Sequence, residues 1–114
     1  MDTVKAETVH YYTAYNGKQP FLEWFKNIRD PIARSRVRRR LDRMELGNYG
    51  DYKVLAPSLC ELRLDFGLGF RIYFTEQGAD IVMLLVGGDK STQSRDIEAA
   101  KAYLEELKER VYHG

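Results

Sequence analysis

A chain of 114 residues is long enough for one hydrophobic core and too short for two. Its 44% apolar content, with 12% aromatics, belongs to a packed globule rather than a disordered chain, and its longest apolar run, Ile81 to Val86, is too short to cross a bilayer. A net charge of +1 names no partner, and the opening "MDTVKAETVH" lacks the basic-then-apolar order of an export signal, so a cytoplasmic protein is expected.

The predicted elements follow in chain order within a single domain over residues 1–114. Residues from about Thr3 to Tyr15, rich in Thr, Val and Tyr, read as a first strand ended by Asn16-Gly17. Pro20 opens a short helix with Phe21, Trp24, Phe25 and Ile28 at core spacing. Asp30-Pro31 supplies the cap and first residue of a second helix that ends at Gly47, so the two form a helical hairpin. A loop follows, with room for a short strand at Tyr52 to Leu55. Strands are expected at about Leu59 to Asp65, Phe70 to Glu76 and Asp80 to Val86, with turns at Gly67 to Gly69 and Gln77 to Ala79. A last helix runs from near Ser91 to about Val111. Its seam of Ile97, Ala100, Leu104, Leu107 and Val111 packs on the sheet or on a partner helix. The single cysteine, Cys60, sits among leucines and reads as a buried structural thiol.

Charge is distributed unevenly. From Lys26 to Arg43 there are eight basic and two acidic residues, whereas Ser91 to Gly114 holds four basic and five acidic ones. On the second helix, Ala33, Val37, Leu41 and Met44 fall within a stripe of about 80° that faces the core. Arg36, Arg39, Arg40 and Arg43 gather along one flank, and Arg34 and Arg38 along the other. Two accounts fit: a solvated face whose side chains snorkel over apolar surface, or a phosphate-binding stripe. Six arginines in ten residues, with no lysine among them, favour phosphate, because guanidinium forks bind it bidentately. Lys53 is grouped with these arginines as an RNA contact.

The stretch "CELRLDFGLGFRIYF", Cys60 to Phe74, is the most informative. A three-residue loop at Gly67-Leu68-Gly69 would pair Leu64 with Ile72 and Leu62 with Phe74 on a buried face. The other face would then carry Arg63 opposite Tyr73, Asp65 opposite Arg71 and Glu61 opposite Thr75. A sheet covered by helices on one side would leave that second face open to solvent or ligand. At "VGGDKSTQ", Gly87-Gly88 is expected to turn the backbone sharply after the last strand. Lys90 would then lie beside a helix N-terminus, where a phosphate can settle.

Arg63, Arg71, Tyr73 and Lys90 thus become the candidate catalytic set, with Glu61 or Asp89 as possible proton acceptors. The missing chemistries are equally informative. His10 and His113 are far apart in sequence, no Ser-His-Asp or Cys-His arrangement is visible, and carboxylates do not cluster at metal-ligand spacing. No metal and no cofactor is expected.

"CELRLDFGLGFRIYF", the following apolar strand and "LLVGGDKSTQSRDIEAAKAYLEEL", together with "NGKQPFLEWF", resemble the RelE/ParE superfamily of bacterial toxins, and within it the phage-derived, HigB-like addiction-module killer proteins. The resemblance implies an α+β, RelE-like fold: one mainly antiparallel sheet with an N-terminal helical hairpin and a C-terminal helix. It implies the toxin of a type II toxin–antitoxin module, a metal-independent, ribosome-dependent mRNA endonuclease. A cognate antitoxin, often a helix-turn-helix protein, would silence it, and the ribosome and mRNA would be its other partners, with no membrane. Arg71 matches the arginine that RelE-type toxins place on the scissile phosphate, Arg63 falls where they have a basic residue on the preceding strand, and Lys90 lies within a residue of the basic position that closes the site. Glu61 stands where RelE proper has lysine. The last helix lacks the catalytic tyrosine of RelE, with Arg95 near its place. The alternative within the superfamily is a non-catalytic, ParE-like inhibitor of DNA gyrase.

Overall fold

The computed structural model describes the backbone of residues 8–113 and the side chains of residues 8–110. Residues 3–7 of the expected first strand, and the side chains of Val111 and His113, lie outside the described residues. Over the described residues the chain is α+β, with one mixed sheet and three helices. The sheet has five strands, β1 (Thr8–Tyr11), β2 (Tyr52–Ala56), β3 (Leu59–Arg63), β4 (Arg71–Gln77) and β5 (Ile81–Gly88), in the order β1-β5-β4-β3-β2. β1 runs parallel to β5, and the other three pairings are antiparallel. The helices are α1 (Pro20–Lys26), α2 (Pro31–Glu45) and α3 (Gln93–His113), the last entered through a 3-10 turn at Lys90–Thr92.

Local chemistry explains the helical pair. Pro20 and Pro31 begin α1 and α2, where a missing N–H costs nothing, and the Asp30 carboxylate accepts from Ile32 N at 2.9 Å. The α2 stripe of Ala33, Val37, Leu41 and Met44 is buried as its spacing requires, beside Phe21, Phe25 and Ile28. Both helices cover one sheet face, against Leu62, Leu64, Ile72, Phe74, Val82 and Leu84.

The second face is not open, which corrects the expectation of a free surface. The α3 seam packs Ala100, Leu104 and Leu107 over Leu59, Tyr73, Leu85 and Val86, with Ile97 partly buried beside them. A bulge opposite Tyr73 and Phe74 leaves Leu85 outside the ladder and turns both Leu85 and Val86 toward α3.

The hairpin register also differs from expectation, by two residues. Leu62 pairs with Ile72, Arg63 with Arg71 and Glu61 with Tyr73, and Leu64 N donates to Phe70 O at 3.0 Å. Asp65 therefore lies in the loop and not opposite Arg71. A slip of two keeps every side chain on its face, so the apolar pattern could not detect it.

Gly87 and Gly88 are strand residues rather than a sharp turn. A Cβ on Gly87 would lie 2.1 Å from Trp24 Cε3, and one on Gly88 would lie 1.8 Å from Asp96 Oδ2. They let α1 and α3 reach β5 from opposite sides. Gly87→Ala and Gly88→Ala should each destabilise the protein by about 2–3 kcal/mol through overpacking, lowering the melting temperature by roughly 10 °C. Melts of the two variants within a few degrees of wild type would show that the close approaches are not required.

Candidate functional site

The face between β3–β4 and the start of α3 holds a buried polar cluster. Glu61 is fully buried, and its carboxylate accepts from Arg63 Nε at 3.0 Å and from Gln93 Nε2 at 2.8 Å. Burial pushes the Glu61 carboxyl up, but the hydrogen bonds from Gln93 and Arg63 outweigh it and hold the group below its ordinary value. Gln93, the first residue of α3, carried no signal in the sequence because only the fold brings it to Glu61.

Tyr73 is fully buried in the same row. Burial, and then the Glu61 charge, push its phenol well above the ordinary tyrosine value. Its hydroxyl is close enough to Glu61 to feel that charge but makes no hydrogen bond within the usual limits. A phenol so placed is a weaker acid than an ordinary tyrosine. The Tyr73 hydroxyl and Arg71 Nε are two of the three buried side-chain polar atoms without a partner among the described residues. Arg71 is 7% exposed, and its Nη1 donates to Gly69 O and Phe70 O, both at 3.1 Å. The expected exposed position for Arg71 is thus corrected, because α3 covers the row.

Lys90 is exposed and lies across the β3–β4 loop, its Cγ and Cδ 3.0 Å from where a Cβ on Gly69 would sit. Gly69 has φ +73°, which favours glycine, and a Cβ there would press on the Lys90 side chain. The structure therefore brings Arg63, Arg71, Tyr73 and Lys90 to one region, but packs them at and beneath the start of α3 rather than around an open concavity. The two candidate proton acceptors are occupied. Glu61 holds Arg63 and Gln93, and Asp89 caps the 3-10 turn, accepting from Ser91 N at 2.8 Å and Ser91 Oγ at 2.5 Å.

An arginine-lined concavity lies elsewhere. Arg36, Arg39, Arg40 and Arg43 line a groove of about 420 Å³ with Asp65 and Phe66 of the β3–β4 loop. Arg40 is the structural member. Its Nη1 donates to Arg63 O at 2.7 Å, and its Nη2 to Tyr49 O at 3.0 Å and Asp51 O at 3.2 Å. Burial and then Arg43 lower its pKa. The Arg36 guanidinium lies 5.1 Å over the Phe66 ring, and those of Arg39 and Arg43 make no hydrogen bond or salt bridge among the described residues.

The other flank of α2 is structural. Arg34 donates to Ile28 O at 2.9 Å, and Arg38 stacks 4.9 Å over Phe25. Lys53 does not join the groove. It is exposed on β2 opposite Glu61, in the strand row of the buried cluster. The two cationic regions meet at Arg63, whose side chain holds Glu61 while its carbonyl holds Arg40.

Glu61 gives a signed pH dependence. Because its folded-state pKa is lowered from 4.5, its contribution is present above that value and is lost as pH falls through the folded pKa. Glu61→Gln should cost about 2 kcal/mol at neutral pH through the lost charge-assisted acceptor and remove that part of the acid-side decline. Chemical denaturation from neutral pH to about pH 3 measures it. A variant that declines in acid as steeply as wild type contradicts the assignment.

Among the described residues no helix is long and apolar enough to cross a membrane, and no group of three or more His, Cys, Asp or Glu side chains could hold a metal ion. No family model matches the chain. A Haemophilus influenzae (strain Rd) protein bearing the name "Uncharacterized protein" is 40% identical over 87 residues, covering 76% of this chain and 88% of that one. Its name assigns no activity, so the match carries kinship without chemistry. The chain belongs to the same family as this Haemophilus influenzae protein.

Proposed function

We propose that the chain is a RelE/ParE-superfamily toxin of a bacterial type II toxin–antitoxin module, acting in the cytoplasm on ribosome-bound mRNA and silenced by a cognate helix-turn-helix antitoxin. The observation that carries this reading is the α2 groove. Like charges repel, and Arg36, Arg39 and Arg43 converge there without a salt bridge, an arrangement that a polyanion would neutralise. Arg40 ties the groove to the Arg63 carbonyl, and Arg63 pairs with Arg71; with Lys90 these are the cations that the family resemblance assigns to the scissile phosphate.

In this reading the arginine groove holds ribosomal or messenger RNA, and Arg63, Arg71 and Lys90 stabilise the negative charge that builds up on phosphorus. Tyr73 is the phenol nearest these cations and would serve as proton donor to the leaving oxygen, although burial and the Glu61 charge make it a weaker acid than an ordinary tyrosine. Glu61 then acts as a positioning residue for Arg63 rather than as the base.

A second reading is favoured by one specific observation. Arg71, Tyr73 and Glu61 are all buried under the start of α3, as they would be in a structural cluster. The chain would then be a non-catalytic, ParE-like inhibitor of DNA gyrase, working through a protein surface.

Induced expression in bacteria, with mRNA 5′ ends mapped after growth stops, separates the two. New 5′ ends within translated messages are expected. Growth arrest with intact messages and stalled DNA replication would favour the gyrase reading, and normal growth without antitoxin would contradict both. Arg36→Gln, Arg39→Gln and Arg43→Gln together should weaken ribosome association, most at low salt, with a shallower salt dependence than wild type, and change the melting temperature little. Arg40→Gln alone should cost about 2 kcal/mol, because three backbone carbonyls lose a charged donor. Unchanged ribosome sedimentation of the triple variant would reduce α2 to a solvated helix face.

A further inference from the structure

Resting on the RNA-directed reading above, we propose that the α2 groove is a single-strand subsite that reads one unstacked base, guanine by preference, with Phe66 as its stacking platform and Asp65 as its acceptor. Asp65 is the telling residue. A groove built only for phosphates gains nothing from a carboxylate in its lining. A carboxylate built to neutralise the arginines would be in a salt bridge with one of them. Asp65 lines the groove and is exposed; it lies near enough for its charge to act on Arg40 and Arg63, but makes no salt bridge among the described residues.

A carboxylate beside phosphate-binding cations suits a ligand that carries donors as well as anions, and a nucleotide is such a ligand. Of the four RNA bases, guanine alone presents two adjacent N–H donors on its Watson–Crick edge, matched to the two oxygens of one carboxylate.

Phe66 supplies the second half. Its ring is half-buried and set edge-on to Phe70, with centroids 5.7 Å apart and planes at 88°. The loop that presents it is fixed by Gly69 N donating to Phe66 O at 3.0 Å. Across the ring lies the Arg36 guanidinium, a planar cation that stacks on a base as readily as on phenylalanine. A base on Phe66 would displace Arg36 toward its own flanking phosphate. Arg36 to Arg43 spans about 10 Å along the helix axis. The groove of about 420 Å³ has the size of a small-ligand site. An acidic protein segment would satisfy the arginines, but Asp65 repels it and Phe66 has no part in its binding.

Fluorescence anisotropy of the full chain with a labelled oligouridylate carrying one central guanosine tests this. The comparison probes are the same strand with uridine at that position, the guanosine strand annealed to its complement, and guanosine monophosphate as competitor. The guanosine strand should bind about tenfold more tightly than the uridine strand, and the duplex and mononucleotide far more weakly. Asp65→Asn, at an exposed position, should erase the guanosine preference without altering the melt. Phe66→Leu should weaken all single strands about tenfold.

Equal affinity for guanosine, uridine and duplex, lost together in the triple Arg36, Arg39 and Arg43 variant, would overturn the base reading and leave RNA binding by the groove intact. Competition by the mononucleotide at the strength of the strand would make this a free-nucleotide site. Displacement of the RNA by oligoglutamate, with affinity indifferent to Phe66→Leu, would assign the groove to an acidic protein segment. No binding of any RNA would remove the RNA-directed reading as well.

Discussion

Everything in this molecule is hung on the last two residues of β5. Gly87 and Gly88 point to opposite faces of the sheet, and the absence of a Cβ on each lets Trp24 settle on one side and Asp96 on the other. Trp24 carries α1, and with it the short connection that orients α2 and its arginines. Asp96, held by Thr92 Oγ1 at 2.5 Å, fixes the first turn of α3 over the β3–β4 row. One pair of side-chain-free positions thus places both cationic regions relative to the same strand.

The polar cluster under α3 follows from that placement. Burying a carboxylate costs several kcal/mol unless it is paired and hydrogen-bonded. Glu61 meets the condition with a guanidinium from its own strand and an amide from α3, so the cluster ties helix to sheet as it fixes Arg63. The same burial decides the proton chemistry. Burial and the Glu61 charge raise the Tyr73 phenol, while hydrogen bonds from Gln93 and Arg63 hold the Glu61 carboxyl below its ordinary value.

Much of the architecture was legible because it rests on local rules. The α2 stripe, the Asp30 cap, the α3 seam and the strand positions follow from periodicity and turn chemistry. The register was not, since a slip of two preserves both faces and only the loop geometry chooses between them. The second sheet face was misread for a related reason. Charged residues alternating along β3 and β4 look like a wet surface, and what buries them is a helix thirty residues away in sequence, through Gln93 and Asp96. The arginines divide in the same manner. Spacing identifies the flank, but only the fold shows Arg40 spent on the carbonyls of Tyr49, Asp51 and Arg63 while Arg39 and Arg43 stay unpaired. Asp65 and Phe66 were visible only as hairpin residues until the longer loop carried them to α2.

The central proposal is that this protein works on RNA through the ground between α2 and the β3–β4 loop. Ultraviolet crosslinking of the wild-type protein to RNA in living cells, with the crosslinked peptides identified by mass spectrometry, tests it most directly. The account predicts crosslinks concentrated in the peptides that carry Arg36 to Arg43 and Asp65 to Phe70. An absence of RNA crosslinks, or their confinement to the acidic outer face of α3, would contradict it.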